Sequence, residues 1–392
     1  VSQNHEHTLF QAYTFNNGVE VKNRLVVAPM THWASNEDGT LSDAERTFIG
    51  NRARDFGLFI TAATLVSPEG KAFAGEPCAY DEAHLASLKE TAAIIQAQGA
   101  KAILQIHHGG WQAVDGIIGG RDKVAPSDLP AGTDAAGRPS KATRALTADE
   151  IEALIAAFGK ATDLAIRAGF DGVEIHGANG YLLQQFVSGH FNRREDEWGG
   201  SRSNRLRFPL AVTDAVIAAK AAHGRDDFII GYRLSPEEPQ EDGITMEDTF
   251  ALIDALKTKA LQYLHVSLWD FYKKARRGAD TARSRLDLIH ERIGGAFPLI
   301  GVGNLFTADD VRRALDSGWV EFAAVGKAVL INPDFATLIY QGRENEIATE
   351  IDPERTDRYG YADYLWQLQL MAPAFLPPLK GRKEGWQPVD AG

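Results

Sequence analysis

Cysteine is almost absent: Cys78 stands alone in 392 residues. One thiol makes no internal disulfide and no cysteine metal cluster. Long apolar runs are missing as well, and nothing approaches the ~18 residues of a membrane-crossing helix. The first stretch, VSQNHEHTLF, is polar and carries no apolar signal core. Basic residues are outnumbered, 41 against 53, for a formal net charge of −12. An acidic chain repels phosphate, which argues against nonspecific nucleic-acid binding. The expectation is a cytoplasmic protein that works on small molecules, with no nucleic-acid and no membrane partner.

What is present is a full core, 44% hydrophobic, in a regular alternation. Apolar strand-like runs fall at 25–29, 58–62, 101–106, 172–175, 228–233, 263–267, 298–302 and 320–325. Helical patterns lie between them: from about 42, then 81–98, 147–168, 203–222, 246–259, 282–293 and 307–317. A last one of the series begins near 333. Ser42 with Glu45, and Thr147 with Glu150, have the spacing of capping boxes. Alternating strands and helices imply a parallel sheet covered by helices. Eight repeats predict a (β/α)8 TIM barrel. A doubly wound sheet is the rival, but GVGNLF at 301–306 lacks the third glycine of a dinucleotide fingerprint. No domain boundary is visible, so residues 1–392 read as one domain. Residues 107–146 form an excursion too long for an ordinary loop and read as a lid or small subdomain. Residues 350–392 read as a tail, with one helix at 361–371.

Barrel chemistry gathers at the C-terminal ends of the strands. The fourth run stops at His176, with Asn179 and Tyr181 close behind and Gly177 and Gly180 between. Singly, each has a plainer explanation. A strand-end His is more often structural, and Asn before Gly is a turn signal. Together they offer N–H and O–H donors and a proton donor beside one ligand. Gly303 and Asn304 after the seventh strand, and Gly326 and Lys327 after the eighth, stand where barrels often hold a phosphate. His107 and His108 are adjacent on a strand, so at most one faces a ligand.

HGANGYLLQQF, then NRREDEWGGS, then NRLRF, resembles the old yellow enzyme family of FMN-dependent NAD(P)H:flavin oxidoreductases. The likeness covers roughly residues 8 to 340. It implies FMN as cofactor and NADH or NADPH as reductant. It also implies that Pro29, Met30 and Thr31 form the first flavin-contacting turn. Ala63 matches a small residue near the ring, Gln105 the pyrimidine edge, and Arg233 the N1–C2=O region. His176 and Asn179 would grip a carbonyl or nitro oxygen, and Tyr181 would protonate an activated alkene. Departures are Thr31 where many relatives have Cys, Trp198 where many have Tyr, and Lys327 where the family usually has Arg. Lys327 binds phosphate as a point charge, with Arg276 or Arg277 as potential helpers.

Two other readings compete. A metal-dependent barrel hydrolase would use His107 or His108 with His176, but no Asp or Glu sits beside them in the usual ligand pattern. A non-catalytic flavin-binding module would bind FMN without turnover. Aromatic and Arg residues in the tail suit either a homo-oligomer contact or packing on the chain's own barrel.

Overall fold

The computed structural model describes residues 8–134 and 136–382. The barrel strands are β1 (Leu25–Val27), β2 (Leu58–Ile60), β3 (Lys101–His107) and β4 (Gly172–Gly177). They continue with β5 (Ile229–Leu234), β6 (Tyr263–Val266), β7 (Leu299–Gly301) and β8 (Phe322–Val325). Each pairs in parallel with the next, and β8 returns to β1 with Val325 opposite Val27. The sheet is therefore a closed (β/α)8 TIM barrel. A short strand, Thr64–Leu65, extends the pairing along the end of β3. Both faces of each strand are covered, so β4, β5, β6 and β8 are buried at every residue. That is why they read as apolar runs rather than as alternation.

An outer ring of helices follows: α1 (Asp43–Gly50), α2 (Leu85–Ala97), α3 (Ala148–Ala168), α4 (Arg202–Ala222), α5 (Met246–Leu256), α6 (Arg285–Ile293) and α7 (Ala308–Asp316). Thr147 and Glu150 close the expected capping box on α3, and Gly169 ends that helix at φ 89°. Phe158 in α3 is fully buried, worth about 1.5–3 kcal/mol relative to an exposed ring. The box expected at Ser42 is only half made. The Ser42 hydroxyl accepts the Glu45 N–H at 3.0 Å. Glu45 instead accepts from the Ser35 hydroxyl at 2.7 Å and lies 3.2 Å from His32 Nε2. The pattern 81–98 begins with a tight turn, Glu82–His84, before α2. The pattern 282–293 starts late because Ser284 caps α6.

In the excursion, Val124–Ala125 pairs with Arg144–Ala145, and Gly132–Thr133 with Pro139–Ser140. Val124 and Leu146 join the main core, so its base is anchored. After α8 (Phe335–Tyr340), the tail carries α9 (Asp363–Leu370). Leu365 and Leu376 enter the main core, which places this part of the tail on its own barrel. No helix among the described residues is long and apolar enough to cross a membrane.

Candidate active site

A cleft opens at the C-terminal strand ends, with about 1010 Å³ of empty space, part of it open solvent. Pro29, Met30 and Thr31 line it from the turn after β1. Gly303 and Asn304 line it after β7, and Gly326 and Lys327 after β8. Arg233 at the end of β5 and Asn179 after β4 face the same space. The β7 turn demands its glycine. Gly303 has φ 136°, and a Cβ there would stand 2.5 Å from the Phe271 nitrogen. Asn304 follows at φ 51°, a conformation Asn tolerates better than most residues.

Two polar groups at the cleft are buried without partners. Arg233 is 7% exposed, and its Nε has no hydrogen-bond partner among the described residues. The Asn304 Oδ1 is likewise buried and unsatisfied. A buried guanidinium N–H left open is costly unless a ligand meets it. Lys327 lies 4.8 Å from the centre of the Trp269 ring. Burial pushes its amine down to about 8. Arg277 is engaged elsewhere, donating to the carbonyls of Glu238, Gln240 and Glu241.

Beside the cleft stands the His–Asn–Tyr cluster. His176 is 3% exposed. Burial, with His107, Arg233 and His265 nearby, holds its imidazole well below the usual histidine range, so it is neutral. Its Nδ1 accepts the Ala178 N–H at 3.3 Å. The ring proton is therefore on Nε2, which is left as a donor. Asn179 sits at φ 57°, and its Oδ1 accepts from the Ser267 hydroxyl at 2.7 Å, which leaves its amide N–H groups as the outward donors. Tyr181 stands edge-on to the His176 ring with centroids 5.1 Å apart. Burial, with Glu76 nearby, pushes its phenol up to about 12.

His107, the last residue of β3, and His108, just beyond it, have different partners. His107 meets Tyr181 and His176, and its Nδ1 lies 3.1 Å from Glu76 Oε2. His108 Nε2 lies 3.2 Å from Glu69. Ala63 is buried beyond β2, and Gln105 is buried within β3, where its Nε2 donates to Glu174 at 2.8 Å. Neither is among the residues lining the cleft, nor are His176 and Tyr181. Trp198 is buried and edge-on to Phe208, a packing position. Among the described residues, no group of three or more His, Cys, Asp or Glu side chains is arranged to hold a metal ion.

Residues 8–346 match the model of the NADH:flavin oxidoreductase / NADH oxidase family. The chain belongs to this family. This flavin oxidoreductase is 47% identical over 369 residues to the probable NADH-dependent flavin oxidoreductase YqiG of Bacillus subtilis (strain 168), covering 94% of this chain and 97% of that protein. It is 31% identical over 362 residues to a probable flavin mononucleotide-dependent alkene reductase of Leishmania infantum, covering 88% and 94%. The old yellow enzyme homologue of Zymomonas mobilis superposes with a TM-score of 0.75 at 27% identity, covering 91% of this chain and 96% of that one. The protein is an enzyme of the old yellow enzyme type, with FMN as cofactor and NAD(P)H as reductant. The cleft suits that cofactor. It presents an open N–H on Arg233, an open acceptor on Asn304 and the amine of Lys327.

The flavin oxidoreductase also places residues at the cleft that its sequence did not single out. Trp33 and Ser267 line it, and so do Phe375 and Leu376 of the tail. Ser267 carried a weak signal, standing at the end of a predicted strand. The tail residues carried none, because their position depends on the chain folding back across the barrel.

Proposed function

We propose that this enzyme is an ene-reductase, which reduces the activated C=C bond of α,β-unsaturated carbonyl or nitro compounds. FMN, when bound, supplies the two-electron carrier that takes hydride from NADH or NADPH at N5 and yields it to the alkene. Met30, Thr31, Ala63, Gln105 and Arg233 hold its ring, with Pro29 shaping the turn. Gly303, Gly326 and Lys327 hold its phosphate, with Asn304 contributing its backbone N–H because its side-chain oxygen only accepts. His176 Nε2–H and the Asn179 amide N–H groups hold the substrate oxygen and stabilise the enolate-like charge that develops there. Tyr181 gives its phenol proton to the α-carbon. The excursion over 107–146 covers the substrate side, within a single domain. Gln112, in that excursion, donates to the carbonyls of Asn179 and Gly180 at 3.1 and 2.7 Å.

One observation carries the reading. A His176 kept neutral with its proton on Nε2, near the end of β4, stands beside a Tyr181 kept protonated in the turn that follows. That pair supplies an oxygen clamp and an acid at the same place. The alkene-reductase relative in Leishmania infantum supports the same class of substrate. The test is an absorbance titration of the purified holoenzyme under anaerobic conditions. NADH or NADPH should bleach the flavin, and 2-cyclohexenone should restore its colour. Bleaching that neither an enone nor a nitroalkene reverses would overturn the ene-reductase reading and leave the family assignment in place.

A further inference from the structure

A charged cluster lies inside the barrel, and the reaction proposed above does not use it. Glu174, in the middle of β4, is fully buried. Its Oε1 accepts from Gln105 Nε2 at 2.8 Å. Its Oε2 accepts from the Tyr263 hydroxyl at 2.8 Å and lies 3.0 Å from His265 Nδ1. Burial works against an ionised carboxylate, but His265, Arg233 and Tyr263 outweigh it and keep Glu174 below its usual range. His265 itself is pushed down by burial, against the pull of Glu174, and is neutral. The cluster is therefore a buried anion that three side chains from β3 and β6 hold in place.

Two consequences follow for the groups around it. A carboxylate only accepts hydrogen bonds. So the amide nitrogen of Gln105 must turn toward Glu174, and its oxygen is turned to the other side. Arg233 lies on the neighbouring strand, in register with His176 on one side and His265 on the other. It feels Glu174 as an attractive charge. The positive charge that Arg233 presents to the cleft is thus partly offset from behind.

We propose that Glu174 is a positioning residue that holds down the reduction potential of the flavin by orienting Gln105 and offsetting Arg233. This rests on the reading that Gln105 and Arg233 face the FMN ring. Reduced flavin is anionic, so charge in this region tips the balance between its oxidised and reduced forms. Removing the carboxylate leaves Arg233 uncompensated and favours the reduced form.

The midpoint potential of the purified holoenzyme, measured against redox dyes, reads this directly. Glu174→Gln should favour reduced over oxidised FMN by about tenfold, an upward shift of ~30 mV for a two-electron couple. Glu174→Asp keeps the charge and should lie closer to wild type. Tyr263→Phe takes one donor from the carboxylate, exposes more of its charge and should move the potential downward. FMN stoichiometry is measured on each protein first. If wild type itself takes no FMN, the cofactor reading has failed. If wild type and either Glu174→Gln or Tyr263→Phe hold FMN, and that variant keeps the wild-type potential, the tuning role is overturned. Loss of FMN from both of these variants while wild type retains it overturns it too, since the cluster then serves assembly.

Discussion

His107 and Tyr181 meet edge to face, with ring centroids 4.4 Å apart and planes 88° to each other. His107 is itself braced by Glu76, and both are fully buried. Tyr181 is thus held between two imidazoles, with little freedom to swing its phenol away.

From that constraint follows the first expectation. Tyr181→Phe should slow alkene reduction by about 10²–10⁴-fold, the usual contribution of a general acid. Flavin reduction by NADH or NADPH should stay close to wild type. Stopped-flow absorbance separates the two half-reactions. An equal fall in both would remove the proton-donor role.

The pH dependence of the same step is set by the phenol, which burial and Glu76 push up to about 12. An acid with a raised pKa keeps its proton as pH rises. The Tyr181-dependent rate should therefore show no alkaline fall near the ordinary phenol value of ~10. A pH profile of the oxidative half-reaction checks this, and a midpoint at the ordinary value would contradict the burial seen here.

His176→Ala should weaken phenol binding to the oxidised enzyme about tenfold, the loss of one hydrogen bond to a charged oxygen. The lowered pKa of His176 adds a stability effect. In the unfolded chain the ring takes a proton near its ordinary ~6.5, while the folded site resists it. Its contribution is present above that value and is lost as pH falls below it. The wild-type melting temperature should drop on acidification through this range, and less steeply in His176→Ala. Calorimetry at several pH values reads the difference.

If Lys327 meets the phosphate, the cofactor's grip should be sensitive to alkali. Burial brings its amine down to about 8, so the apoprotein loses this cation as pH rises past that point. FMN affinity should fall from about pH 7 to about pH 9, whereas Lys327→Arg should stay flat because a guanidinium remains charged. Flavin fluorescence quenching gives both curves. Parallel curves would take Lys327 out of the phosphate contact.

Gly303→Ala should destabilise the fold by about 1–3 kcal/mol and release FMN. The added methyl would sit 2.5 Å from a backbone nitrogen, and a positive φ would be forced on a residue with a side chain. Thermal melting and flavin retention measure the two effects.

The barrel was legible because parallel strands covered on both faces are continuous apolar runs. His176, Asn179 and Tyr181 were legible because they interrupt such a run with polar groups. Ser42 shows where local pattern fails. Its partner Glu45 had a choice, and tertiary folding gave it Ser35 and His32. Glu174 was hidden in plain view, one acid inside an apolar strand whose partners come from strands far away in sequence. Phe375 and Leu376 reach the cleft only through the path of the tail, which no local pattern encodes.

The cleft is assembled from stretches far apart in the sequence. Residues 29–31 lie beside residues 326–327, because β8 pairs with β1, and Phe375 and Leu376 add to the wall. During synthesis, the turn after β1 leaves the ribosome hundreds of residues before the turn after β8. A half-made chain therefore lacks the turns after β7 and β8, and cofactor capture in this cleft waits until both have been made.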